Sequence, residues 1–491
     1  MERGAGILMP ISALPCKYGI GSLGEGAYRF VDFLRISGQK YWQVLPLVQT
    51  GYGDSPYQSV SDASGNPYFI DVEELHKDGL LTKRELQEEI EKSPRIDYGR
   101  LYETRYPLLR KAFSRFDVEN AEFVKWCKSG KYTDYACFMA LKQKYNAPFY
   151  EWPEEFKFRD APALKQYIKE NKNEILFWQF LQFEFYRQWK KLKTYANSKG
   201  IKIIGDLPLY VSADSVDVWT NPSLFMLDAE LHPQKVAGVP PDYFCQDGQL
   251  WGNPVYDYRA HSQEGYVWWQ SRLKHALTNF DYVRIDHFRG LDRFWAIDAT
   301  APNARDGEWM PAPGEDILST VDTSAIIAED LGTIDDGVRA LLAKTGLPNM
   351  KVLQFAFGGD NTNPYLPWNV DENSVFYTGT HDNDTVLGFL ESASPSFRAT
   401  ILDQLNDCLN YLDIHKEIKG KYAMVDLFID VVYASRANVA IIPLHDVLAL
   451  YSEYRINTPG TIGNWQVRYT KRALTDTAAA LLKRKVRRFE R

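Results

Sequence analysis

The sequence predicts a (β/α)8 barrel with inserted, largely helical subdomains. Two observations carry that reading: eight short apolar runs, and helical patterns between many of them. The runs are "GILMPIS" (6–12), "KYWQVLPL" (40–47), "IKIIGDLP" (201–208), "DYVRIDHF" (281–288), "SAIIAEDLG" (324–332), "MKVLQFAF" (350–357), "SVFYTGTHD" (374–382) and "NVAIIPLHD" (438–446). Runs of this kind read as strands buried on both faces, the mark of a parallel sheet. Between the first two, "EGAYRFVDFLRISG" places apolar residues at helical spacing and stops at Gly38. "NEILFWQFLQFEFYRQWKKLKTYANSKG" does the same and stops at Gly200, directly before the third run. Eight strands alternating with helices close most simply as a barrel.

The uneven spacing locates the insertions within one catalytic unit spanning 1–491. Residues 48–200 lie between the second and third runs, far more than a crossover needs. About 70–180 reads as an inserted helical subdomain rich in Lys and Glu, with a capping-box pattern at Thr82 to Glu85. About 207–270 reads as a long active-site loop region between strands three and four, too aromatic for disorder.

Composition excludes several classes. A net charge of −7 over 491 residues argues against nucleic acid or an anionic membrane as the main partner. The start "MERGAGILMPISALP" lacks the pattern of a signal peptide, and no stretch approaches twenty apolar residues, so a soluble, cytoplasmic protein is expected. Five scattered cysteines, never in C-x-x-C spacing, fit reduced thiols. The 30 Tyr, 26 Phe and 13 Trp will mostly pack the core, but flat rings lining a groove would also suit sugars.

The strand ends carry the chemistry. Strand side chains alternate, so Arg284 and Asp286 share a face and point toward the barrel axis at the C-terminal mouth, where active sites of this architecture sit. A neighbouring Arg should hold Asp286 ionised, as a nucleophile requires. Glu329 follows "AIIA", Asp382 follows "VFYTGTH" and Asp206 follows "IKIIG". One such acid would pass as a turn former; four in the same register, on strands three, four, five and seven, specify a cluster. Carboxylates without metal ligands are the equipment of glycoside chemistry, one attacking the anomeric carbon and a protonated one serving the leaving oxygen. Glu329, leaving an apolar strand with Asp330 beside it, is the better proton donor. His287 and His381 flank the acids and are placed to hydrogen-bond sugar hydroxyls.

The segments "IGDLP", "VRIDHFRG", "IAEDLG" and "TGTHDNDT" resemble the four conserved regions of the α-amylase superfamily. More narrowly, "SPYQS", "KVAGVPPDYF", "GQLWGNPVYD", "MKVLQFAF" and "NTPGT…GNW" resemble the 4-α-glucanotransferase family (amylomaltase, or disproportionating enzyme), from "GILMPISALP" to about Trp465. The resemblance implies Asp286 as nucleophile, Glu329 as general acid/base and Asp382 as the third carboxylate. It implies Arg284, His287, His381 and Asp206 around the sugar, Tyr57 and Trp251 as sugar-contacting aromatics, and Asp360 in a loop near the donor side. It further implies a barrel without a separate C-terminal β-domain, no required cofactor or metal, and retaining transfer of α-1,4-glucan segments to the 4-hydroxyl of an acceptor. Donors would be maltooligosaccharides, amylose or other α-1,4-glucans, with glucose or maltose as acceptor. Cys16, Cys245 and His445 depart from the family pattern without removing a catalytic group.

Other readings are weaker. "GIGSLG" (Gly19 to Gly24) has dinucleotide-loop spacing, but the second strand ends "QVLPLVQTG" without the acid such a site needs. "DNDT" lacks the spacing of a calcium loop, and the tail "KRKVRRFER" reads as a solvated helix end. A hydrolase would carry the same carboxylates, and no spacing rule separates it from a transferase. A silent glucan-binding protein would have lost an acid, and none is lost.

Overall fold

In a computed structural model that describes all residues except 52, 92, 242–245 and 333, each of the eight apolar runs overlaps a strand of one parallel sheet. In chain order the strands are β1 (Gly4–Leu8), β2 (Tyr41–Gln43), β3 (Lys202–Leu207), β4 (Lys235–Val239), β5 (Gln249–Pro254), β6 (Tyr282–Ile285), β7 (Arg293–Asp298), β8 (Gly307–Pro311), β9 (Ile326–Ala328), β10 (Asn349–Val352), β11 (Ser374–Tyr377) and β12 (Val439–Pro443). The large sheet runs β10-β11-β12-β1-β2-β3-β6-β9. Its two ends meet through the Ala328 N–H, which donates to the Pro348 carbonyl at 2.9 Å, and the Asp330 carboxylate, which accepts the Met350 N–H at 2.9 Å. Those contacts close a (β/α)8 barrel, and after β12 the described residues form helices and turns.

Val, Ile and Ala dominate these strands because both faces are covered: β1, β9, β11 and β12 are buried throughout. The bore is filled by long inward side chains. Tyr377 on β11 donates its hydroxyl across to Gln43 on β2 at 2.8 Å, and Arg284 on β6 donates Nε toward Met350 Sδ on β10 at 3.3 Å. These contacts cross the interior of the barrel, and in this architecture substrates meet the C-terminal mouth of the strands.

Residues 72–198 carry helices, among them Lys83–Glu88, which opens with the expected Thr82–Glu85 capping box, and the 27-residue Lys172–Ser198. The long helix stops at Ser198, and Gly200 just beyond it, with a φ of +79°, lets the chain turn into β3 without the strain a side chain would add. Its polar residues fix the loop that leaves β2. Gln182 clasps Gly65, accepting the N–H at 2.7 Å and donating to the carbonyl at 3.0 Å, and Gln188 accepts the Asp71 N–H at 2.7 Å. Helix packing thereby positions the loop that carries Tyr57.

Several expectations change. The segment 207–270, read as one loop, contains β4 and β5, which join β7 and β8 in an antiparallel sheet of order β5-β4-β7-β8. Its strands alternate burial only weakly (β8 is largely exposed), which is why their pattern did not stand out. The basic tail is solvated at Lys483, Arg484, Arg487 and Arg488, as expected, but two of its cations are buried. On helix Asp476–Arg488, Lys485 is buried between Asp430 (2.5 Å) and Asp426 (2.7 Å), and Arg491 donates into the carbonyls of Val432, Tyr433, Ser435 and Ala437 at the end of helix Gly420–Ala434. The glycines of "GIGSLG" serve close packing: a Cβ on Gly24 would lie 1.9 Å from Asp71 Oδ2, the atom that accepts the Ser22 hydroxyl. Cys16 is a free thiol, and Cys245 lies outside the described residues.

Candidate active site

Arg284 organises the mouth. Its guanidinium is almost wholly enclosed and faces three carboxylates at once: Nη1 donates to Asp206 Oδ1 at 2.6 Å, while Nη2 lies 2.9 Å from Asp286 Oδ1 and 3.8 Å from Glu329 Oε2. Burial opposes the charge, yet the surrounding anions, Asp206 foremost, hold Arg284 firmly protonated. Because Asp286 and Glu329 meet one nitrogen, those two oxygens are separated by at most the sum of 2.9 and 3.8 Å. That ceiling lies at the low edge of the spacing of about 6.5–9.5 Å used for inversion and leaves room for the roughly 5–5.5 Å of a retaining pair.

Backbone geometry aims the acids. Asp286 directly follows β6, its N–H donating to the Leu207 carbonyl at 2.9 Å. His287 then takes a left-handed conformation (φ +51°), unusual for a residue with a side chain. That turn directs the His287 N–H onto Glu329 Oε2 at 2.7 Å, while the Leu331 N–H reaches Oε1 at 2.9 Å. Both oxygens of Glu329 are thus held by main chain.

The electrostatics differ from the sequence expectation. Arg284 does not lower Asp286 below the ordinary carboxylate range. Burial outweighs the cation, which is shared with Asp206 and Glu329, and pushes Asp286 up to about 6. Glu329 rises to about 7, through burial first and the Asp286 charge second, against Arg284 and its two backbone donors. Asp330 has another role than assisting Glu329, since its carboxylate faces β10 and closes the barrel. The two acids interact closely and titrate as a pair.

Asp382, the most exposed of the cluster with 43% of its side chain open, accepts the Asn457 side-chain N–H at 2.6 Å and lies 3.3 Å from His381 Nε2. Arg455 donates to its carbonyl at 2.6 Å. Asp206 is enclosed, with Oδ1 taken by Arg284 and Oδ2 by the Tyr57 hydroxyl at 2.6 Å, so it acts on the mouth through those partners. Tyr57 stacks on His381 (5.2 Å, 13°), with Trp465 against both rings. Across the mouth, Trp251 on β5 packs edge-on to His287 at 4.7 Å. Burial lowers His287 to about 3, so its ring is neutral, and its Nε2 is enclosed without a protein hydrogen bond. Gln58 ties the two sides, donating to the Trp251 carbonyl at 3.1 Å and to Asn253 Oδ1 at 2.8 Å.

Asp360 is not brought into the cluster: it is exposed, and its carboxylate accepts the Thr362 N–H and hydroxyl in a surface turn. Sequence reasoning missed Asn457, Arg455 and Met350. "NTPGT" and "MKVLQFAF" flagged their segments, but no spacing indicates that an Asn after strand eight will meet an Asp after strand seven.

The chain matches known proteins over nearly its whole length. The 4-alpha-glucanotransferase family profile matches residues 9–475. The 4-alpha-glucanotransferases of Clostridium butyricum and Thermus thermophilus are each 42% identical, over 98% and 100% of this chain and 100% and 99% of theirs. The solved amylomaltase from Streptococcus agalactiae in complex with acarbose superposes with a TM-score of 0.93 at 39% identity, covering both chains completely. The chain belongs to the 4-alpha-glucanotransferase family.

Proposed function

We propose that this 4-α-glucanotransferase works by a retaining double displacement in which Asp286 is the nucleophile and Glu329 the acid/base. The observation that carries the assignment is Arg284 Nη2, which gathers both carboxylates at one point of the mouth. A group at about 6 is about ten-to-one ionised at pH 7, while one at about 7 is half protonated, so the two acids suit opposite roles.

An Asp286 oxygen attacks the anomeric carbon of an α-1,4-glucan. The bond from that carbon to the departing 4-oxygen breaks, and the oxygen takes the Glu329 proton. The resulting ester between Asp286 and the sugar carries the donor segment. Glu329, now a carboxylate, removes the proton of an acceptor 4-hydroxyl, whose oxygen attacks the same carbon and releases Asp286. Two inversions return the original anomeric configuration. Asp382 accepts sugar hydroxyls and stabilises the positive charge that develops on the ring. The neutral His287 exchanges hydrogen bonds with a sugar hydroxyl through its unpaired Nε2, and Tyr57 and Trp251 present ring faces. Donors are maltooligosaccharides or amylose, and acceptors extend to glucose and maltose.

The experiment is incubation of the purified protein with maltotriose and a chelator, followed by chromatography and a count of reducing ends. Glucose plus a ladder of longer maltooligosaccharides at constant reducing ends is expected. Rising reducing ends with only shorter products would mean hydrolysis. Asp286→Asn and Glu329→Gln should each abolish the ladder without unfolding the protein, and near-full activity in both would refute the roles.

A further inference from the structure

Two tyrosines stand exposed on the rim, outside the catalytic cluster. Tyr422 is 54% and Tyr451 36% exposed, unusual for rings in a chain whose aromatics are mostly buried. Their hydroxyls are hydrogen-bonded at 2.9 Å, and the rings meet nearly at right angles (84°, centroids 6.5 Å apart), so the pair forms a fixed corner. Lys421 Nζ lies 5.7 and 5.1 Å from the two ring centres and is paired with Glu391 at 2.5 Å.

Topology puts this corner at the mouth. Helix Gly420–Ala434 leads into β12 and runs against it, so its first turn, with Lys421 and Tyr422, sits level with the strands' C-terminal ends. Glu391 belongs to helix Val386–Ser392, which begins just past Asp382. Tyr451 precedes Ser452, whose hydroxyl donates to Asp384 at 2.7 Å, and the same segment supplies Arg455 and Asn457 to Asp382. Tyr451 and Asn457 are six positions apart, at most about 22 Å of chain. The corner and the third carboxylate are therefore two ends of one short strap.

We propose that Tyr422, Tyr451 and Lys421 form an outlying site for a non-reacting stretch of an α-1,4-glucan chain. A glucosyl ring offers an apolar face to a phenol and hydroxyls to the flanking ammonium and carboxylate, which is the equipment present here. This deepens the transfer reading and rests on it. The site lengthens the grip on long chains and leaves the shortest donors untouched.

The test compares the full-length protein with Tyr422→Ala, Tyr451→Ala, the double variant and Tyr422→Phe. Three readouts are taken: retardation in a native gel containing amylose, half-saturation by amylose, and kcat/KM for maltotriose. The double variant should lose the retardation and need at least fivefold more amylose for half-saturation, with maltotriose kcat/KM within twofold of the parent and an unchanged Tm. Tyr422→Phe, which keeps the ring, should retain most of the retardation. Unchanged amylose retardation and half-saturation in the double variant would overturn the site. So would equal loss on maltotriose and amylose, or a dimer that dissociates in the double variant, which would make the corner a contact between copies. Failure of the parent to form the maltotriose ladder would instead sink the transfer reading, while gel retardation still tests the site.

Discussion

Asn457→Ala isolates the support of the third carboxylate. Asn457 donates to Asp382 Oδ1 at 2.6 Å, whereas the Asp382 main chain is held separately by Arg455 at 2.6 Å. The loop should stay in place and only the carboxylate should lose its anchor. A hydrogen bond to a charged group contributes about 1.5–3 kcal/mol. With 43% of the Asp382 side chain open to solvent, water replaces part of it, leaving about 1–1.5 kcal/mol. At 1.36 kcal/mol per decade this is a loss of about tenfold in kcat/KM. If Asp382 stabilises charge that develops during the reaction, the loss falls on kcat more than on KM. The assay is initial-rate glucose release from maltotriose, alongside a thermal melt to confirm an intact fold. Asn457→Asp sharpens the test, because it sets one carboxylate against another and should cost more, with partial recovery as pH falls. Both constants within twofold of the parent for Asn457→Ala would show that Asp382 does not depend on this anchor.

Three further outcomes are expected. The kcat/KM for maltotriose should rise with pH through about 6 as Asp286 ionises and fall through about 7 as Glu329 loses its proton, and a profile flat from pH 5 to 8 would contradict both shifts. Asp206→Asn removes an anion that raises Asp286 and leaves Arg284 fewer carboxylates to serve, so the acidic limb should move to lower pH, along with some loss of rate from the weakened hold on Arg284 and Tyr57, and an acidic limb that stays in place would contradict this. Arg491→Ala leaves buried carbonyls at the end of helix Gly420–Ala434 without donors, a cost of about 2–4 kcal/mol that should lower Tm by a few degrees while maltotriose kcat/KM stays unchanged.

The barrel was legible because each strand advertises itself locally. An apolar run buried on both faces needs no partner to be recognised, and all eight runs overlap strands of the sheet. The convergence of Asp206, Arg284, Asp286 and Glu329 followed from the alternation of side chains and the common direction of parallel strands. The small sheet was not legible, because β8 is exposed along most of its length and β5 mixes exposed Leu250 with half-buried Trp251. Nor was the burial of Lys485 and Arg491, since a basic tail looks the same in sequence whether its partners are water or Asp426 and Asp430.

The electrostatic balance was out of reach for a deeper reason. Sequence alone puts one Arg two residues from one Asp, and from that pair a depressed nucleophile follows. In the folded mouth the same guanidinium is divided among three carboxylates, with Asp206 holding the shortest contact at 2.6 Å. What remains for Asp286 does not offset the desolvation of a closed site, so its pKa rises rather than falls. The division also has a chemical use. A fully committed cation would leave Asp286 a weaker nucleophile and pull Glu329 toward permanent ionisation, whereas a shared one keeps the first near 6 and the second near 7. The acid/base pair is therefore a property of how many anions Arg284 must serve, a number fixed by the meeting of β3, β6 and β9 at the mouth.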